Sequence, residues 1–193
     1  GQERLDGAVV GDAGQRLDED LLDGDAAGVP MRVRGVEAEH RDLERAAALG
    51  PLVGADAWVL GEDSGFEVEA LRGAPGVYSA RYAENDAARC AKILRALEGK
   101  PDSERRAQFV ACVALLDPGG NPTLFFGRKT GFVAAAAKGG GGFGYDPIFC
   151  PELGGPTWAE LGAAGKNNDS HRSRALGAAI HFLKAAVKPP LGL

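Results

Sequence analysis

Basic residues are in short supply. Lys and Arg number 22 against 27 Asp and Glu, a formal net charge of -5. A protein that binds a nucleic-acid duplex usually carries a basic excess or a basic stripe. An RNA- or DNA-binding module is therefore disfavoured, and any polyanionic ligand has to meet cations gathered locally. Cysteine is scarce too. Cys90, Cys112 and Cys150 form no CxxC pair and no zinc spacing, so free thiols in a reducing compartment are expected, with Cys112 in an apolar run as a small core residue. No stretch approaches the roughly 20 apolar residues that span a bilayer. The first residues lack a basic region followed by an apolar one, so no signal peptide is expected and a cytoplasmic location is. No fixed-period repeat is visible. Residues 1–40 contain no Lys, Asn, Ser, Thr or Phe, and the chain has no Asn before Asn85 and no Lys before Lys92. Their Gly/Ala/Arg/Asp/Val bias permits disorder and is what a diverged segment, or an out-of-frame reading of GC-rich DNA, would give. The chain is thus divided into an atypical segment, 1–40, and a domain, 41–193.

The 193 residues are 45% hydrophobic and 25% charged, enough to bury a sizeable core. In the first segment, QRLDEDLLDGDAAG reads as a weak helix and VRGVEAEH as a short β-like start. RDLERAAALG then has a helical period. AWVLG (57–61) suits a buried strand, and FEVEAL (66–71) alternates as a half-buried one does. NDAARCAKILRALEG (85–99) predicts an amphipathic helix with Asn85 or Asp86 as N-cap and Gly99 as its stop. AQFVACVALLD (107–117) predicts a strand, residues 118–122 a turn, and TLFFGRKTGFVA two strands joined by a bulge or turn. A glycine loop follows, then TWAEL, a polar stretch, and a closing helix, ALGAAIHFLKAAV. Strands and helices alternate only in part, so a mixed α/β sheet fits better than a doubly wound one.

Three constellations carry chemistry. Gly61-Glu62-Asp63-Ser64-Gly65 follows the AWVL strand. It is expected as an exposed turn whose paired carboxylates suit a hard cation such as Mg²⁺ or orient an attacking water; taken alone it is also ordinary turn chemistry. Lys138 and Gly139–Gly142, followed by Phe143-Gly144-Tyr145-Asp146-Pro147, form a loop whose glycines admit a close ligand and whose aromatic face can stack a base. No Gly-Lys-Ser/Thr ends it, so it is not a Walker loop; its plain reading is a flexible loop anchored by core aromatics. Lys166-Asn167 and Ser170-His171-Arg172 precede the last helix and gather the cations that the net charge withholds, or simply cap it, with Asp169 or Ser170 as N-cap. His40 fits neither, and His181, in an apolar helix, is expected to be packed. Metal and base, stacking surface and cations together make the inventory for a nucleotide polyphosphate.

EDSGFEVEALRGAPGVYSARYA (62–83), GGFGYDPIF (141–149) and SHRSRAL (170–176) resemble the three ordered blocks of the inosine/xanthosine triphosphate pyrophosphatase family, the non-canonical purine NTP pyrophosphatases; AEL (159–161) and KN (166–167) agree in order and spacing. The resemblance implies an elongated, two-lobed mixed α/β fold around a long central sheet with the nucleotide cleft between the lobes, a homodimer, and hydrolysis of ITP, dITP or XTP to the monophosphate and pyrophosphate with Mg²⁺. It implies that Asp63 is the catalytic acidic residue and binds metal, that Glu62, where a second Asp is usual, assists at the metal, and that Ser64 touches substrate. Phe143 would stack the purine, Gly144, Tyr145 and Asp146 would shape its pocket, and Lys166, His171 and Arg172 would recognise the 6-oxo base and hold the nucleotide.

The chain departs from the pattern ahead of the acidic turn and again after Ala83. The family's Ser/Thr-x-Asn-x-x-Lys loop for the triphosphate has no counterpart. Arg45 stands near a usual Lys, and Glu37 or Glu39 near a usual metal-binding Glu. The NNAK of the family's helix reads RCAK here. A catalytically weak purine-nucleotide-binding relative is accordingly the alternative expectation.

Overall fold

A computed structural model of the chain describes residues 8–10, 57–167 and 169–187. The helices and β-like start expected between residues 15 and 50, together with His40, Glu37, Glu39 and Arg45, lie outside the described residues.

Six strands form one sheet: β1 (Ala8–Val10), β2 (Val59–Val68), β3 (Pro75–Gly76), β4 (Arg106–Leu116), β5 (Pro122–Val133) and β6 (Phe149–Cys150). Their order is β1-β5-β4-β2-β3, with β6 also on β5. β1 runs parallel to β5 and every other pairing is antiparallel, so the sheet is mixed, as expected. The backbone of the fold is the apolar run in β4. It pairs along its length with β5 through a turn at 117–121, where Asp117 Oδ1 accepts the Asn121 amide at 2.8 Å.

That same run overrides the turn expected at 61–65. β2 is unbroken, and Gly61–Gly65 pair in register with Ala114–Val110 of β4. Gly, Asp and Ser are poor strand formers alone, but strand preference follows the available partner, and β4 offers one to every residue of β2. For the same reason TLFFGRKTGFVA is one strand rather than two.

Three helices pack on the sheet. α1 (Asp86–Ala96) is capped by Asn85, whose side chain accepts from Ala88 N at 2.9 Å. α2 (Trp158–Asn167) is broken at Gly162, where φ is 69°. α3 (His171–Ala186) begins with a capping box between Ser170 and Ser173. It starts before the apolar stretch that marked it in the sequence, because the cap is polar.

Odd-numbered residues of β4 face one side, and two cores are strung along that side. One gathers Phe66, Phe109, Phe149 and Trp158 with Cys90 and Ile93 of α1. The other sets Ala111, Val113 and Phe125 beneath Ala175 and Ala179 of α3. The first turn of α3 enters between them. Cys112 is buried on the opposite face, and no disulfide joins the three cysteines. His181, expected to be packed, is exposed. α3 buries the stripe of Ala175, Ala179, Phe182 and Leu183, and position 181 falls on the far side of the helix wheel. No helix among the described residues is long and apolar enough to cross a membrane.

Candidate functional site

Strand β2 supplies the carboxylates. The pleat sends Glu62, Ser64 and Phe66 to the face of the aromatic core and Asp63 to the other. β3 pairs with β2 only at Phe66 and Glu67, so among the described residues the edge of β2 beside Glu62–Gly65 carries no strand. A cavity of about 200 Å³ borders Glu62, Asp63 and Ser64 alike, which requires it to wrap that open edge. Ser64 Oγ donates a short hydrogen bond to Glu62, and Asp63 Oδ1 accepts the Ser64 amide at 3.0 Å. Arg172 Nε, from α3, donates to Glu62 Oε1 at 3.1 Å.

The glycine loop is held by Asp146. This carboxylate is fully buried; it accepts from Lys166 Nζ at 2.8 and 2.6 Å and from the Phe143 amide at 3.0 Å. Gly142 is required beside it: φ is 76°, and a Cβ there would stand 2.2 Å from the carboxylate. Tyr145 is buried as well. It stacks on Phe66 at 4.6 Å between ring centroids and donates its hydroxyl to Ser79 O at 2.8 Å. With its neighbours turned inward, Phe143 is left 59% exposed, with Lys166 Nζ 4.2 Å and Arg172 Cζ 5.7 Å from its ring centroid.

His171 is buried, with its ring parallel to Phe109 at 4.8 Å and to Trp158 at 5.9 Å. Burial, then the Arg172 and Lys166 charges, push its pKa down to about 3, so the imidazole is neutral near pH 7. Its Nδ1 is buried without a hydrogen-bond partner among the described residues. An unmet buried polar atom is uncommon enough to need a reason, and a ligand supplies one.

The three expected constellations meet in a two-chamber cleft. Glu62, Asp63, Ser64, Phe143, Gly144 and Tyr145 border the chamber of about 200 Å³, along with Lys166, His171 and Arg172. Asp146 borders only the second, of about 400 Å³, with Trp158, Gly162, Ala163, Ser170 and Leu176. Phe143, Lys166, His171 and Arg172 belong to both. Sequence reasoning missed Asp86, Arg89, Ser79 and Phe109 of the smaller chamber and Trp158 of the larger. Nothing local marks Phe109 or Trp158 as other than core. For Asp86 and Arg89 the signal was a charged pair, three residues apart, opening α1 just after the first block.

No group of three metal-binding side chains occurs among the described residues. The carboxylates of Glu62 and Asp63 nonetheless both border the chamber, and carboxylate oxygens suit a hard divalent cation that completes its shell from water and ligand phosphates.

Mixed sheet, carboxylates at an open strand edge and a neutral histidine flanked by cations define a ligand-binding α/β protein with a composite polar and aromatic cleft. Comparison with known proteins narrows the class. The model of the Ham1 family matches residues 33–182. A dITP/XTP pyrophosphatase of Leifsonia xyli subsp. xyli is 43% identical over 158 residues, 80% of this chain and 78% of that one; the dITP/XTP pyrophosphatase of Geobacter sulfurreducens is 46% identical over 145 residues, covering 74% and 72%. The structure of the Staphylococcus aureus Ham1 protein superposes with a TM-score of 0.70 at 36% identity over 77% of each chain. The chain belongs to the Ham1 family. The resemblance read from residues 62–83, 141–149 and 170–176 is borne out, since all three blocks lie inside the matched region.

Proposed function

We propose that this chain is a nucleoside-triphosphate pyrophosphatase that hydrolyses 6-oxo purine triphosphates (ITP, dITP and XTP) to the monophosphate and pyrophosphate. The relatives named dITP/XTP pyrophosphatase support the activity. The observation that carries the reading within this chain is one cleft joining the Glu62–Asp63 carboxylates to a neutral, buried His171 whose Nδ1 has no partner among the described residues.

The base is assigned to the chamber of about 400 Å³, whose lining is mostly apolar, with Phe143 as its stacking surface. A neutral imidazole beside Lys166 and Arg172 presents donors to a 6-keto oxygen. A 6-amino group would leave those donors unpaired, and discrimination of this kind is strong because it strands buried polar groups. The α-phosphate lies at the Glu62–Asp63 wall. Asp63 orients a water and takes its proton as the water oxygen bonds to the α-phosphorus; the bond from that phosphorus to the bridging oxygen breaks, and pyrophosphate leaves. Arg172, held against Glu62 at 3.1 Å, is placed to compensate charge on the phosphates. Mg²⁺ held at Glu62 and Asp63 would supply further neutralisation of that charge. A homodimer and a cytoplasmic setting belong to the same reading.

The test is pyrophosphate release from ITP, dITP, XTP and ATP with Mg²⁺, beside Asp63→Asn. Release from the 6-oxo substrates that disappears in Asp63→Asn supports the enzyme. Binding of IMP without any release overturns it in favour of a purine-binding relative.

A further inference from the structure

We propose that Arg89, on the first turn of α1, binds the phosphate chain of the nucleotide, and that Asp86 holds it in reserve while the cleft is empty. The inference rests on the proposed triphosphate substrate and deepens it by naming a phosphate ligand from α1.

A triphosphate brings about four negative charges to a chamber already walled by Glu62 and Asp63, so cations must be released to meet it. Among the described residues three border that chamber: Arg89, Lys166 and Arg172. Lys166 is committed to Asp146, whose side chain is 1% exposed, and opening a buried pair strands its partner. Arg172, engaged with Glu62 inside the same wall, is one cation already assigned to the phosphates. Arg89 differs. Its Nη1 meets Asp86 Oδ1 at 2.6 Å, but the Asp86 side chain is 49% exposed, so water takes over that carboxylate at little cost. Arg89 Nε donates only a long bond to Ala83 O, at 3.3 Å, and a guanidinium with five N–H donors retains others for a phosphate, which it grips in fork geometry.

Asp86 also accepts the Gly144 amide through Oδ2 at 2.7 Å. One carboxylate therefore ties Arg89 to the loop that presents Phe143.

The experiment measures equilibrium binding of a β,γ-imido ITP analogue, inorganic tripolyphosphate and inosine to the full chain and to Arg89→Gln, Arg89→Lys and Asp86→Asn. Asn at 86 still accepts from Gly144. Loss of a charge-assisted contact predicts about tenfold or more weaker binding of the analogue and of tripolyphosphate by Arg89→Gln, inosine unchanged, partial recovery in Arg89→Lys, and equal or tighter analogue binding by Asp86→Asn. Equal losses for inosine and the analogue, or no loss for either, overturn the assignment. If the unaltered chain binds the analogue but releases no pyrophosphate from ITP, the enzymatic reading falls and the binding series still decides Arg89.

Discussion

Lys166 Nζ lies 2.8 and 2.6 Å from the two carboxylate oxygens of Asp146, and that pair fastens the glycine loop to the helix ahead of α3. The partners are not equivalent. The Asp146 side chain is 1% exposed and that of Lys166 12%. Removing Lys166 leaves a carboxylate with no route to water, whereas removing the charge of Asp146 leaves an ammonium that can still reach it. Lys166→Met is expected to cost about 3–5 kcal/mol at pH 7, and Asp146→Asn distinctly less. Urea unfolding of both variants at pH 7 checks the ranking.

His171 gives a pH dependence of known sign. Its pKa lies at about 3 in the folded chain against 6.5 for the free side chain. Below 6.5 the unfolded chain gains a proton that the folded chain refuses. The stability that depends on neutral His171 is whole above pH 6.5 and drains away as the pH falls from 6.5 toward about 3. An NMR titration should show the His171 imidazole unmoved between pH 8 and pH 5. A His171 midpoint near 6.5 would contradict its burial.

How much of this was legible in the sequence depends on whether the signal was local. Asn85 as a cap and the strand over 107–117 were readable because capping and apolar runs act over a few residues. So were Glu62, Asp63, Ser64, Phe143, Lys166, His171 and Arg172 of the cleft, through the family resemblance. Gly61–Gly65 misled because its strand character comes from β4, some fifty residues away in sequence and adjacent only in the sheet. His181 misled because composition marks a helix as apolar without saying which side faces the core. The burial of Tyr145 and the Asp146–Lys166 pair were invisible for a further reason: a loop's inward residues are chosen by what lies beneath, here Phe66, Ser79 and α2.

Gly127 sits on β5 beneath the first turn of α3, where a Cβ would stand 2.0 Å from His171 O and 2.6 Å from Ala175 N, both backbone atoms. Neither strand nor helix can yield without moving the other. Gly127→Ala should therefore lose about 1–3 kcal/mol and displace His171, weakening nucleotide binding along with the fold. Gly177 is a control within α3, since a Cβ there meets nothing within 4 Å. Gly177→Ala should gain about 0.5–1 kcal/mol, with binding unchanged. Thermal unfolding and nucleotide binding of the two variants separate a steric requirement for glycine from a helix-propensity effect.

The strongest separation of stability from function is expected at His171 itself. Its ring earns its place in the core by lying parallel to Phe109 and Trp158, a role that phenylalanine fills equally well. Its Nδ1, buried and without a partner among the described residues, costs stability that phenylalanine would restore, since leaving a buried polar atom unmet carries a penalty of about 1–3 kcal/mol. His171→Phe should thus unfold at a temperature equal to or above that of the parent chain. Yet it should lose preference for ITP over ATP by about tenfold or more, because the donor that distinguishes a keto oxygen from an amino group is gone. Calorimetric unfolding beside kcat/KM for the two substrates decides the point. A destabilised variant that keeps its preference would mean that His171 is a packing residue whose nitrogen never meets the base.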